Sequence, residues 1–199
     1  MDFISSKFII EWLVVLGLLL FGVYTMLVIK NEKKTYIRNA REKFFHGFKL
    51  FLPEWWGELD TNDENHLIFK RLDTRYDWEA HFYFTKANDS HSPLPSIQEM
   101  LKAKLEDKKL LFDSDTTIIT NPSEFKARPL LTSGLFELCR VEGTATMDRQ
   151  ERTYYDAFMV KNLKTGDILF CESKSSILNG LVEGPYFEEV IERMEWINE

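Results

Sequence analysis

The chain has 199 residues and a formal net charge of −7, and from Phe44 onward 18 of its 25 Lys plus Arg face 28 of its 32 Asp plus Glu. Such a surface repels nucleic-acid backbones, which argues against a nucleic-acid partner. Two cysteines, Cys139 and Cys171, are too few for a disulfide framework, and the chain beyond residue 43 is long enough for one domain with a full core.

A short tail, residues 1–7, precedes FIIEWLVVLGLLLFGVYTMLVI at 8–29, which is apolar apart from Glu11. The spacing predicts a transmembrane helix, because a hydrocarbon core of about 30 Å needs about 20 residues at about 1.5 Å each. Glu11 falls near the headgroups, where a carboxylate reaches water, while Trp12 and Tyr24 stand toward opposite ends, as interfacial rings do. A cleaved signal peptide has a shorter apolar run and a small-residue cleavage site; the following KNEKKTY offers none, so the segment reads as an uncleaved signal-anchor. Gly17 and Gly22 are five apart rather than four, so they do not form the small-residue helix-pairing motif.

Residues 30–43 form a basic juxtamembrane linker, predicted to be helical. Lys30, Lys33, Lys34, Arg38 and Arg41 are the expected contacts to an anionic membrane surface, each worth about 1 kcal/mol. With Lys43 they also outnumber the single Lys7 before the span, so the charge rule places the large domain in the cytoplasm.

The acidic domain, 44–199, reads as α+β: one mainly antiparallel sheet packed by two helices. Phe48, Leu50 and Leu52 alternate along a strand closed by Pro53. Residues 66–72 and 78–85 form a strand pair around the turn 73–77, and 86–95 is a loop. Ser96-Ile97-Gln98-Glu99 is a capping box that opens a helix to about Lys109, with Ile97, Met100, Leu101 and Leu105 on one face. A short strand at 116–120 precedes three long strands at 135–147, 152–162 and 167–175, whose tight connections imply a meander. In that order Cys139 and Cys171 are not on neighbouring strands, and both read as buried free thiols. Gly184-Pro185 is read as the start of a closing helix with Phe187, Val190, Ile191, Met194 and Ile197 on one face and Glu188, Glu189, Glu192 and Arg193 on the other.

An aromatic apolar strand leading to Pro53 and Trp55, then a hairpin, a helix, a long meander and the closing helix at 185–197, resembles the PsbP and DcrB-like group of α/β/α sandwich domains. The resemblance covers 44–199. It implies a binding or assembly role with no shared catalytic set. For many members it also implies a place outside the cytoplasm, at odds with the charge rule.

Phosphate-cradling, dinucleotide and nucleophile-elbow motifs are absent from the sequence, and no cofactor or metal is expected. His66 and His81 fall on neighbouring predicted strands and define the one conceivable cleft chemistry. Residues 60–65 imitate the start of a calcium loop but lack its glycine and closing glutamate, so they read as a solvated turn. Asn88-Asp89-Ser90 fits a glycosylation acceptor, relevant only in a secretory lumen.

Trp55 and Trp56 are expected to point opposite ways, one into the core and one toward a partner. Leu178 and Leu181, in a two-glycine loop, are expected to form a contact lip. Together these features favour a membrane-anchored protein-binding domain acting as an assembly factor, adaptor or accessory subunit, with the bilayer and another membrane protein as partners. The alternatives are a tethered enzyme or small-ligand binder near His66 and His81, or a lipid-binding domain using Trp56 and the linker.

Overall fold

The structure is a computed structural model that describes residues 2–72, 77–87, 95–114, 116–147 and 151–197, with side chains from residue 10 onward except at 29. The glycosylation triplet, His91 and the turns 73–76 and 148–150 lie outside the described residues. The chain divides into two units, Met1–Ala40 and Arg41–Glu199.

The first unit is one helix, α1 (Asp2–Asn39), about 57 Å long at about 1.5 Å per residue. Its stretch Ile10–Asn39 is long and apolar enough to cross a membrane. Leu13, Leu16, Leu18, Leu19, Phe21 and Leu27 are all exposed, and these positions cover the whole circumference at 100° per residue. A Cβ on Gly17 or Gly22 would meet nothing within 4 Å.

The second unit begins earlier than the predicted linker allows. Residues 41–45 are not helical but form β1 (Arg41–Phe45), paired with β2 (Phe48–Leu52). The reason is the turn: His46 and Gly47 have φ of 47° and 81°, the left-handed pair that a two-residue hairpin requires. Gly47 also has no room for a side chain, since a Cβ would come within 2.7 Å of the Trp196 ring. The predicted alternation along β2 is observed, with Phe48, Leu50 and Leu52 buried.

Next come β3 (Trp56–Leu59), β4 (His66–Arg71), β5 (Glu79–Thr85), α2 (Ile97–Asp107), β6 (Leu110–Phe112), β7 (Ile119–Thr120), a 3-10 turn at Ser123–Phe125 and a short helix α3 (Pro129–Thr132). The chain closes with β8 (Phe136–Met147), β9 (Glu151–Asn162), β10 (Ile168–Ser175), α4 (Ile177–Arg193) and β11 (Glu195–Trp196). The large sheet runs β3-β4-β5-β10-β9-β8-β6, with β7 also on β8, and is antiparallel throughout. The small sheet is β1-β2-β11.

Because strand residues alternate sides, register divides the large sheet into two faces. On one, Cys139, Val141, Ala157 and Met159 pack under Ile97, Leu101 and Leu105 of α2, each buried Leu or Ile contributing about 1.5–3 kcal/mol. On the other, Phe187 of α4 meets Phe82 and Phe158 at ring centroid distances of 6.1 and 5.7 Å. This is an α/β/α sandwich. The capping box forms, Ser96 accepting from the Glu99 N–H while Glu99 accepts from the Ser96 N–H at 2.9 Å. Cys139 pairs with Met159 and Cys171 with Phe158 on adjacent positions of β9, so the two buried thiols sit on opposite faces of the sheet.

The closing helix differs most from expectation. It starts at Ile177, making Pro185 an interior residue and residues 178–184 helical rather than a loop. The two glycines that suggest a loop instead let Tyr154 of β9 lie against the helix: a Cβ on Gly180 would come within 2.3 Å of the ring, and one on Gly184 within 3.4 Å. An interior proline costs about 3 kcal/mol. Pro185 is exposed, where water can bond the carbonyl it leaves open, and Phe187, Val190 and Ile191 are buried behind it. Glu189 and Glu192, expected on the solvent face, are buried; Glu192 forms an ion pair with Arg128 at the start of α3.

These two glycines separate packing from propensity. Gly180→Ala is expected to lower stability by about 1–3 kcal/mol through overpacking against Tyr154. Gly184→Ala, with ordinary contact distance and better helix propensity, is expected to stay within about 1 kcal/mol of wild type. Urea unfolding of the two variants, followed by tryptophan fluorescence, checks the difference.

Candidate functional site

The residues singled out in the sequence separate into three places. Glu11, Trp12, Tyr24, Lys30, Lys33, Lys34 and Arg38 are exposed along α1. Arg41 is on β1 instead, where its guanidinium donates to the Trp56 carbonyl at 2.9 Å. Lys43 pairs with Glu58 of β3 at 2.6 Å.

Trp55, Trp56, Leu178 and Leu181 all belong to the neighbourhood of α4. The two tryptophans do not diverge as on an extended strand. A turn closed by the Trp56 N–H donating to the Pro53 carbonyl at 3.1 Å re-aims them, and both indole N–H groups converge on Glu183 Oε2, at 3.3 Å from Trp55 and 2.9 Å from Trp56. Glu183 has no exposed surface, and Arg71 of β4 completes an ion pair with its other oxygen. Trp56 fills the core beside Trp78, ring centroids 4.4 Å apart. Trp55 is half-buried, its ring edge-on to Tyr186 at 5.0 Å.

The outer side of the same helix is apolar and open: Leu178 is 77% exposed, Leu181 62% and Val182 43%. Spacings of three and four place these side chains and Tyr186 in one stripe, with Trp55 at its end. Val182 escapes the sequence reading because 178–184 looks like a loop there, and Tyr186 because a helix starting at Pro185 cuts it off from the stripe. Once 178–184 is taken as helical, the period through 178, 181, 182 and 186 is visible.

The second cluster is on the α2 face. His66 and His81 are brought together, His66 Nε2 lying 2.9 Å from His81 Nδ1. Their rings and that of Tyr83 form a stack, His66 to Tyr83 at 4.1 Å and His81 to Tyr83 at 5.8 Å. Behind them Glu172, 3% exposed, accepts from Tyr155, from Tyr83 at 3.3 Å and from Lys108 at 2.8 Å. No local pattern in the sequence marks Glu172, whose partners come from β5, β9 and the C-cap of α2. Burial raises the Tyr83 and Tyr155 hydroxyls above their ordinary range, and the Glu172 carboxylate adds to the effect. Although burial works to raise Glu79, Lys174 and Lys70 hold it down at about 2. Among the described residues no group of three or more His, Cys, Asp and Glu side chains is placed to hold a metal ion.

A third ionic group surrounds Arg140 of β8. Its guanidinium donates to Asp156 at 3.1 and 3.0 Å and contacts Glu142 at 2.7 Å and Glu188 at 3.0 Å. These contacts tie the β8–β9 pair to α4.

Burial lowers both imidazoles below the ordinary 6.5, the neighbouring His81 lowering His66 further while Glu172 and Glu79 oppose the effect on His81. A base whose folded pKa is depressed favours folding while neutral. Its contribution is complete above the unfolded value near 6.5 and is lost as pH falls toward the folded one. Stability is therefore expected to drop as pH falls from about 7 through the ordinary imidazole range. The His81→Gln variant should show a shallower slope in urea unfolding across that interval.

By sequence, the chain matches no family model and no curated protein. By fold, it is similar to the cyanobacterial PsbP (CyanoP) from Synechocystis sp. PCC 6803, with a TM-score of 0.54 at 9% identity over 79% of this chain and 92% of that one. It is also similar to the Ran-binding protein Mog1p of Saccharomyces cerevisiae, TM-score 0.49 at 7% identity over 80% and 96%. A Bacteroides thetaiotaomicron protein gives a TM-score of 0.45 at 15% identity over 80% and 50%. The domain has a PsbP-like fold, as its element order implies.

Proposed function

We propose that this chain, a PsbP-like domain behind an apolar helix, is a single-pass membrane protein. In this reading the domain binds another protein at the bilayer as an assembly factor, adaptor or accessory subunit. The observation that carries it is the exposed stripe Leu178, Leu181 and Val182 on α4. Behind it the half-buried Trp55 is held by a buried carboxylate.

Large apolar side chains aligned on the outside of a helix offer area for association without strain, because the inner face of α4 is already packed. The mechanism is tethering. Confining the domain to a membrane raises its effective concentration toward a partner in the same bilayer, so a modest contact suffices. The basic run Lys30, Lys33, Lys34 and Arg38 supports a cytoplasmic domain and contact with anionic headgroups.

Two experiments test this reading. Purification in mild detergent is expected to recover a stoichiometric partner with wild type and to lose it with a Leu178→Glu, Leu181→Glu double variant whose thermal melt is unchanged. An orphan monomer, or equal recovery by both, counts against the contact surface. For sidedness, a cysteine at the exposed Asn62 should resist a membrane-impermeant thiol reagent in intact cells and react after lysis. The background is low, since Cys139 and Cys171 are buried and burial pushes the Cys139 thiol up to about 12.

A further inference from the structure

The α2 side of the large sheet is only partly covered. Helix α2 packs on β6, β8 and β9, and beside it, over β5 and β10, a groove of about 610 Å3 remains. Its walls are largely carbon: Met100 and Ala103 from the helix, Tyr83, Met159, Ile168 and Phe170 from the sheet. This volume lies within the range of about 300–1,000 Å3 typical of small-molecule sites.

Two features define what fits. The first is flatness. His66, Tyr83 and Phe170, on neighbouring strands, form a ladder of nearly parallel rings, with interplanar angles of 16° and 24°. The groove is bounded by Tyr83 and Phe170, so a flat aromatic ring entering it meets the last rungs of that ladder. The second is charge. Two ammonium groups lie over the same rings: Lys104 Nζ is 5.8 Å from both the Tyr83 and Phe170 centroids, and Lys108 Nζ is 5.5 and 5.9 Å away.

Lys108 is neutralised by Glu172 at 2.8 Å. Lys104, half-buried at the groove wall, has no carboxylate partner among the described residues. Of the two acids lining the groove, Glu99 is bound to Ser96 at the helix start. Asp107 leaves a negative charge that disfavours a second anionic group on a ligand.

We propose that this groove binds an aryl monocarboxylate, with the ring against Phe170 and Tyr83 and the carboxylate on Lys104. The site is independent of the α4 contact surface, so either can fail alone.

The test uses the full chain in lipid nanodiscs, titrated with 2-naphthoate by calorimetry against empty discs. Saturable binding is expected, with 2-naphthamide and naphthalene-2,6-dicarboxylate weaker. Lys104→Gln should weaken 2-naphthoate about tenfold, the scale of one lost charge-assisted hydrogen bond. Ala103→Trp, which fills the groove from an exposed helix position, should abolish binding with the thermal melt unchanged. Absence of saturable binding, equal affinity for acid and amide, or unchanged affinity in either variant overturns the proposal.

Discussion

The domain depends most on a single buried carboxylate. Glu183 sits on α4 with no solvent exposure and receives Trp55, Trp56 and Arg71. An isolated buried carboxylate is costly, and removing one partner of a buried ion pair typically destabilises by about 3–5 kcal/mol. Its oxygens are therefore satisfied from a turn, from β3 and from β4 together. That links the helix to the far edge of the sheet and sets which side of α4 faces outward. The exposed stripe at 178, 181 and 182 is a consequence of this inner contact.

Further along the same helix, at Glu188, Arg140 makes the corresponding connection to β8 and β9. One guanidinium meets Asp156, Glu142 and Glu188, so the contact is rich in acid where the Glu183 contact is rich in donors. The two ionic contacts bracket the aromatic core around Phe187. The opposite face of the sheet has a third, Glu172 with Tyr83, Tyr155 and Lys108. The sheet thus places titratable groups on both sides while the hydrophobic layers lie between them.

Local signals explain what was legible in the sequence. The alternation of Phe48, Leu50 and Leu52, the capping box at Ser96 and the tight β9–β10 turn each act within a few residues, and the structure shows all of them. Remote contacts explain what was not. Gly180 and Gly184 suggest a loop until Tyr154 from another strand is seen lying on them. Glu183 looks like part of that loop, and Glu189 and Glu192 look like a solvent face, because nothing nearby in the chain announces Arg71 or Arg128. Trp55 and Trp56 were assigned by strand alternation, but the turn after Pro53 overrides it. The approach of His66 to His81 was readable from strand pairing alone, whereas the groove beside them depends on how far α2 reaches across the sheet.

The pairing of β11 with β2, Trp196 opposite Phe48, joins the last strand of the domain to one of its first. The aromatic trio Phe48, Phe136 and Trp196, with centroids 4.9–5.7 Å apart, seals that joint. During synthesis this seam stays open until Trp196 has left the ribosome, long after the apolar leading helix has emerged. The fold is therefore completed late, and a chain that stalls before Trp196 exposes the edge of β2 that β11 covers.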